Sequence, residues 1–266
     1  MDIYLDYNAT TPVDPGVKDV MLPFMDQLYG NPSSIHQQGI QSKMAIEQAR
    51  KQVAALVHCS PHEIIFTSGG TESNNYAIKG MAYALKQKGN HIITTQIEHP
   101  AVLEVCKYLE KNGFHVSYLP VDSTGMISTE ILEKTIRPET ILISIMHANN
   151  EIGTIQPIEE IAEISRLHHI VFHSDAAQSC GKIKTDVRNG PDLLSVAGHK
   201  LYAPKGIGAL YIKEGLHPEK LMHGADHERN MRPGTENVLE IVGLGKACEV
   251  AHKNLDANFR HMKQLR

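Results

Sequence analysis

The 266-residue chain has no apolar run long enough to span a bilayer, which argues against a helical membrane protein. It has no basic excess either. Lys and Arg total 26 against 30 Asp and Glu, a formal charge of −4, so no global positive field points to nucleic acid. Its opening residues, "MDIYLDYNATTP", carry neither a basic n-region nor an apolar h-region, so no secretory signal is expected. Cysteine is sparse. Cys59, Cys106, Cys180 and Cys248 are scattered with no C-x-x-C pair, which argues against a zinc ribbon and fits a reducing cytoplasmic setting. Internal repeats and low-complexity linkers are absent. What remains is ordinary for a soluble protein, 41% hydrophobic and 21% charged, with length for one large domain or two unequal ones.

Two alternating periods fill that length. Ile46, Ala49, Val53, Leu56 and Val57 fall on one helical face. A short apolar run, "EIIFTS", leads through a Gly-rich turn to a helical stretch over about 73–88. "HIITTQ" reads as a strand, "PAVLEVCKYLEKNG" as a helix ending at Gly113, and "HVSYLPV" as a strand. "STEILEKTI" is a short helix with Ser128 as its cap. Strand "TILISIMHA", helix "IEEIAEISRLHH" and strand "IVFHSDAA" follow, and "DLLSVAG" and "GIGALYI" close the series. "NLDANFRHMKQLR" reads as a further helix. This alternation predicts an α/β domain with a mostly parallel sheet covered by helices on both faces, and ligands beyond the carboxyl ends of its strands.

Four features stand at such ends. "TSGGTESNN" (67–75) leads from a strand into a helix, where backbone N–H groups and glycine favour an anion; a plain tight turn fits the same letters. No Gly-Lys-Ser/Thr follows, so it is not a Walker A loop. Asp175 in "HSDAAQ" is either a partner for a buried cation or a helix cap. Lys200, beside His199, is either a desolvated, reactive amine or a surface lysine. His99 in "QIEHPAV" either faces a flat ring or starts a helix. Each is ambiguous singly. Together a phosphate cup, a carboxylate, an imidazole and an amine are the parts that hold pyridoxal 5′-phosphate.

"YLDYNATTP", "GNPSSIH", "FTSGGTESNN", "EHPAV", "HANNEIGTIQP", "HSDAAQ", "GHKLYAPKGIGALY" and "HERNMRPGTENV" together resemble the cysteine desulfurases, in the class V branch of fold-type I pyridoxal phosphate enzymes. The resemblance runs almost end to end. It implies a fold-type I large domain at 14–258, after an N-terminal arm at 1–13, with 259–266 as the start of a small C-terminal domain. It implies conversion of L-cysteine to L-alanine and a persulfide, used in iron–sulfur cluster or thio-cofactor synthesis. By motif, Lys200 resembles the Schiff-base lysine and Asp175 the partner of the pyridine nitrogen. Gln178 would reach the phenolic oxygen, and His99 would stack on the ring and aid proton transfer. Gly70, Thr71 and His199 resemble phosphate ligands, and Asn150 an asparagine near cofactor and substrate. Thr235 resembles a residue given across a homodimer to the neighbour's phosphate, which implies a symmetric dimer.

The sequence departs from that pattern in places. Ala197 stands where many relatives have Ser, and Ala225 and Asp226 stand in glycine-like places before His-Glu-Arg. Ala203 replaces a usual Gly. The family's catalytic-cysteine loop and a later substrate-gripping arginine follow the Thr235 motif, and the sequence reaches Arg266 with neither. A truncated form is therefore expected, and Cys180 reads as a packed thiol rather than a nucleophile. Three other readings stay in view. One is a non-catalytic remnant acting by dimerisation or partner binding. Another is a selenocysteine lyase, whose sequences "ERNMRPGTEN" also resembles. The third is a metal protein, from 16 histidines and the His223–His227 spacing, although the zincin Glu is absent and Gly224 opposes a helix.

Overall fold

Most strands are buried at every position, so helices must cover both faces of the sheet. The structure, a computed structural model, describes residues 3–265. Helices α1 (Pro15–Met21), α2 (Pro23–Asp26) and α3 (Gln37–Val57) precede the first strand, β1 (Ile64–Thr67). Then come α4 (Gly70–Ala84), β2 (His91–Thr95), α5 (Pro100–Glu110), β3 (His115–Leu119), α6 (Thr129–Thr135), β4 (Thr140–Ser144), α7 (Ile158–Leu167) and β5 (Val171–Asp175). Strands β6 (Leu193–Ala197) and β7 (Gly208–Ile212) follow, then α8 (His227–Asn230) and α9 (Val238–Leu265).

The seven strands form one sheet in the order β1-β7-β6-β5-β4-β2-β3. β7 runs antiparallel to both neighbours and every other pairing is parallel. This is the mostly parallel, doubly covered sheet that the alternation predicts. Strands buried on both faces read as continuous apolar runs. Thus Ile64 and Phe66 join a cluster with Val53, Leu244 and Cys248 of α3 and α9, while Ile65 faces Tyr76, Ile78 and Met81 of α4. Likewise Ile92 and Leu142 pack with Val102 and Leu109 of α5, and Ile93 and Ile143 with Leu132 and Ile161 of α6 and α7.

Local chemistry sets the helix starts. Pro100 opens α5 and the His99 ring caps it. Ser128 Oγ accepts from Ile131 N in α6, as the sequence predicts. Between β1 and α4 the chain turns at Gly69, with φ +151°, a conformation open to glycine. α9 is unbroken from Val238 to Leu265.

Candidate active site

Going outward from the middle of the sheet, β2 lies beside β4 although β3 comes between them in sequence. Ligand crevices form at such reversals, outside the carboxyl ends of the strands. A cavity of about 330 Å³ lies there. His99 reaches it from the β2–α5 junction; Met146, Ala148 and Asn150 from beyond β4; Asp175 and Gln178 from the end of β5. Ala197, His199 and Lys200 come from the end of β6, and Gly70, Thr71 and Asn74 from the first turns of α4. Eight of the nine predicted site residues therefore meet in one cavity. Thr235 does not; it is exposed in the loop before α9. Asp226 lines a different and larger cavity, about 700 Å³, over Arg50 and Glu228. That cavity holds neither Lys200 nor Asp175.

Asp175 is 5% exposed. Burial pushes its carboxyl up, opposed by the Ala177 N–H at 2.9 Å, the Asn74 amide at 2.6 Å, and the nearby His99 and Lys200 side chains. Lys200 is half-buried, and desolvation pulls its amine down while Asp175 and Asp6 push it back up. Its Nζ donates to the backbone oxygens of Asn8 and, at 3.0 Å, Ala9. His99 Nδ1 accepts from Ala101 N at 3.1 Å, which puts a neutral ring's proton on Nε2. The helix-start and cavity-facing readings of His99 are thus both met by one side chain. His199 is lowered by desolvation, then by Lys200, Lys205 and Lys182.

Several contributors have no loud sequence signal. Glu98 is 5% exposed and accepts from Thr95 Oγ1 at 2.8 Å and Met146 N at 2.9 Å. Asn149 Nδ2 donates to Ile97 O at 2.9 Å. These bonds staple the β2 and β4 exits together, so that His99 and Asn150 face one space. Burial raises Glu98 to about 8, and its Oε2 has no hydrogen-bond partner. Asn74 stands inside the quoted "TSGGTESNN" but its distance to Asp175 is a tertiary fact. Its own Oδ1 is buried and unpartnered.

Pyridoxal 5′-phosphate fits these residues. An amine and a buried carboxylate share one cavity, and the amino end of a 15-residue helix opens onto it. A Cβ on Gly70 would already stand 3.2 Å from the Ala197 Cβ, so the cradle suits small residues there. The thiols do not belong to this set. Burial lifts Cys106 and Cys180 to about 12, Cys248 well above its ordinary value, and Cys59, also near Glu63, to about 12. None of the four lines the cavity.

Comparison with known proteins gives the family. A family model described as aminotransferase class-V matches residues 3–266. A cysteine desulfurase IscS of Dictyoglomus turgidum is 53% identical over 266 residues, all of this chain and 68% of that protein. One from Methanosarcina thermophila is 54% identical, over 99% of this chain and 66% of its own length. The chain thus spans about two thirds of these curated relatives. A solved structure described as a NifS-like protein superposes on the whole chain with a TM-score of 0.97 at 45% identity, over 74% of its length. Another, described as SspA in complex with cysteine, gives 0.91 at 46% identity, over 93% of this chain and 72% of its own. The chain belongs to the pyridoxal phosphate-dependent class-V aminotransferases, on their cysteine desulfurase branch.

Proposed function

We propose that this chain provides the cofactor site and proton handling of a cysteine desulfurase, which converts L-cysteine and an acceptor thiol to L-alanine and a persulfide. The observation that carries this reading is the meeting of Lys200, Asp175, His99, Gln178, His199, Asn150, Gly70 and Thr71 in one cavity. Bound there, pyridoxal phosphate supplies an electron sink for charge developing on the substrate. Lys200 would hold the cofactor covalently and carry the substrate Cα proton, for which its lowered basicity suits it. Asp175, ionised opposite a cation, keeps the ring nitrogen protonated. His99 would lie against the ring, with Nε2–H available to the substrate side. Gly70, Thr71 and His199 receive the phosphate; Asn150 faces cofactor and substrate.

The acceptor thiol lies outside the four cysteines of this chain. A thiolate is the nucleophile, and burial holds all four as thiols. Sulfur then passes to iron–sulfur cluster or thio-cofactor assembly in the cytoplasm. No helix among the described residues is long and apolar enough to cross a membrane. The working unit is a homodimer in which Thr235 serves the neighbour's phosphate. Exposed Tyr29 and Ile35 in the segment before α3, with Ile40 and Met44 in its first turns, give it apolar surface to cover. Residues 1–13 act as an arm, 14–258 as the large domain and 259–266 as the start of a small domain; α9 runs unbroken across that second boundary to Leu265, and residues 1, 2 and 266 lie outside the described residues. Borohydride reduction with peptide mapping tests the reading. A cofactor adduct on Lys200 is expected; an adduct on another lysine, or none, overturns it.

A further inference from the structure

Gln178 has an amide whose two ends differ only in hydrogen-bond sense, and its neighbours fix which end faces the cavity. Its Oε1 accepts from Lys182 Nζ at 2.8 Å, and its Nε2 donates to the Asn8 carbonyl at 2.9 Å. A carbonyl oxygen can only accept, and an ammonium can only donate. Neither partner tolerates the flipped amide. Lys182 does not itself line the cavity.

The chain between the two residues is shaped for this contact. After β5, Cys180 N bonds Ala176 O at 2.9 Å, and Lys182 N and Ile183 N bond Ser179 O at 2.9 and 3.0 Å. This helical turn sets Lys182 four residues after Gln178 and on its side. Gly181 closes the turn at φ +77°, and a Cβ there would approach Ala251 Cβ to 3.1 Å. Lys182 is therefore held under a tight backbone instead of swinging in solvent.

We propose that Lys182 is a positioning residue that locks the Gln178 amide so that an N–H, and not a carbonyl, meets whatever acceptor occupies the cavity beside it. The proposal rests on the cofactor reading above and deepens it. The acceptor class is an anionic oxygen on the cofactor ring, which an N–H stabilises and a carbonyl repels. Burial, and then the charge of Lys200, pull the Lys182 amine down to about 8. Below that it is an ammonium, the form that enforces the orientation. The other charged or titratable groups around the pair are Lys200, Asp175, His99 and His199, which line the same cavity, and Asp6, which acts on Lys200.

The test reads the visible absorption of the lysine-bound cofactor against pH in the full chain. An N–H on the ring oxygen favours loss of the linked nitrogen's proton. Lys182→Met frees the amide to flip, so its apparent pKa is expected to rise by about one unit, the worth of one charge-assisted hydrogen bond. Lys182→Arg, which keeps the donor, stays near wild type. In a Gln178→Ala background, adding Lys182→Met is expected to move the pKa no further. An equal shift in that background overturns the proposal, because Lys182 would then act by charge alone; no shift in either background also overturns it. Should Lys182→Met not fold, Lys182→Leu carries the same cycle. A wild type without a Lys200-dependent band defeats the cofactor reading instead, and a band that Lys182 variants leave in place separates the two.

Discussion

At the scale of single residues, the site works by placing charge where burial resists it. Asp175 is the clearest case. Desolvation favours its neutral form, yet its proposed task needs the anion. Asn74 supports the anion with a 2.6 Å bond to Oδ2. Asn74→Ala removes that support, so the Asp175 pKa is expected to rise and the acid limb of the rate profile to move to higher pH. About one bond to a charged group is lost, on the order of 1.5–3 kcal/mol, so kcat/KM at neutral pH is expected to fall about tenfold or more. A profile unmoved in shape but scaled down would instead mean a packing defect. Asn74 shows what the letters hide. "TSGGTESNN" marks a turn and a helix start, while the reach of one side chain to a carboxylate 101 residues away is written nowhere in that segment.

At the scale of elements, the open side of β1 is closed by an ion pair. Arg50 of α3 meets Glu228 with two 2.7 Å bonds, and both side chains are 3% exposed. The unpaired edge groups of β1 are taken up with them. Phe66 N donates to Glu228 Oε2, and Ile64 O accepts from Arg50 and Arg229. An uncovered edge would be a template for another strand. The turn that delivers Glu228 is strained, with positive φ at Glu228, Arg229 and Asn230. Removing one partner strands the other charge, so Glu228→Ala is expected to cost about 3–5 kcal/mol in denaturant unfolding. Arg50→Met with Glu228→Leu is expected to cost less than the two single changes summed, and additive losses would show no coupling. The strands and helices themselves were legible, because two-sided burial and helical spacing are local patterns. Their ends were less so. "TILISIMHA" is regular strand only to Ser144: Ile145 N and His147 N still bond the His173 and Asp175 carbonyls of β5, but Met146 N turns to the Glu98 carboxyl. The Arg50–Glu228 pair was invisible: its members are 178 residues apart, and neither the helical face around Arg50 nor the "HERNMRPGTENV" segment names a partner for the other.

At the scale of the whole molecule, the cavity residues were legible as a set because each follows a strand that reads clearly, and the sheet order gathers those ends. The sheet that gathers them also buries titratable groups, and these set the stability of the cofactor-free protein against pH. His173 on β5 is fully buried between Ser144 and Ser195 hydroxyls, and desolvation lowers it to about 3; His147 is lowered to about 4 the same way. Above an ordinary histidine pKa near 6.5 both states are neutral. Below it the unfolded chain takes up protons that the fold refuses, so stability is lost as pH falls toward those values. At pH 5 the loss is about 2 kcal/mol for each such ring. Glu98 acts with the opposite sign. Its folded pKa is raised to about 8, so its contribution is whole at acid pH and is lost as pH rises from its ordinary value near 4.5 through 8. The two trends cross, and the melting temperature of the cofactor-free chain is expected to peak near pH 6–7. Glu98→Gln keeps an acceptor for Met146 N and carries no charge. It is expected to remove the decline between the peak and pH 8 while leaving the acid limb in place. A variant curve parallel to wild type over that range would show that Glu98 is already ionised in the fold.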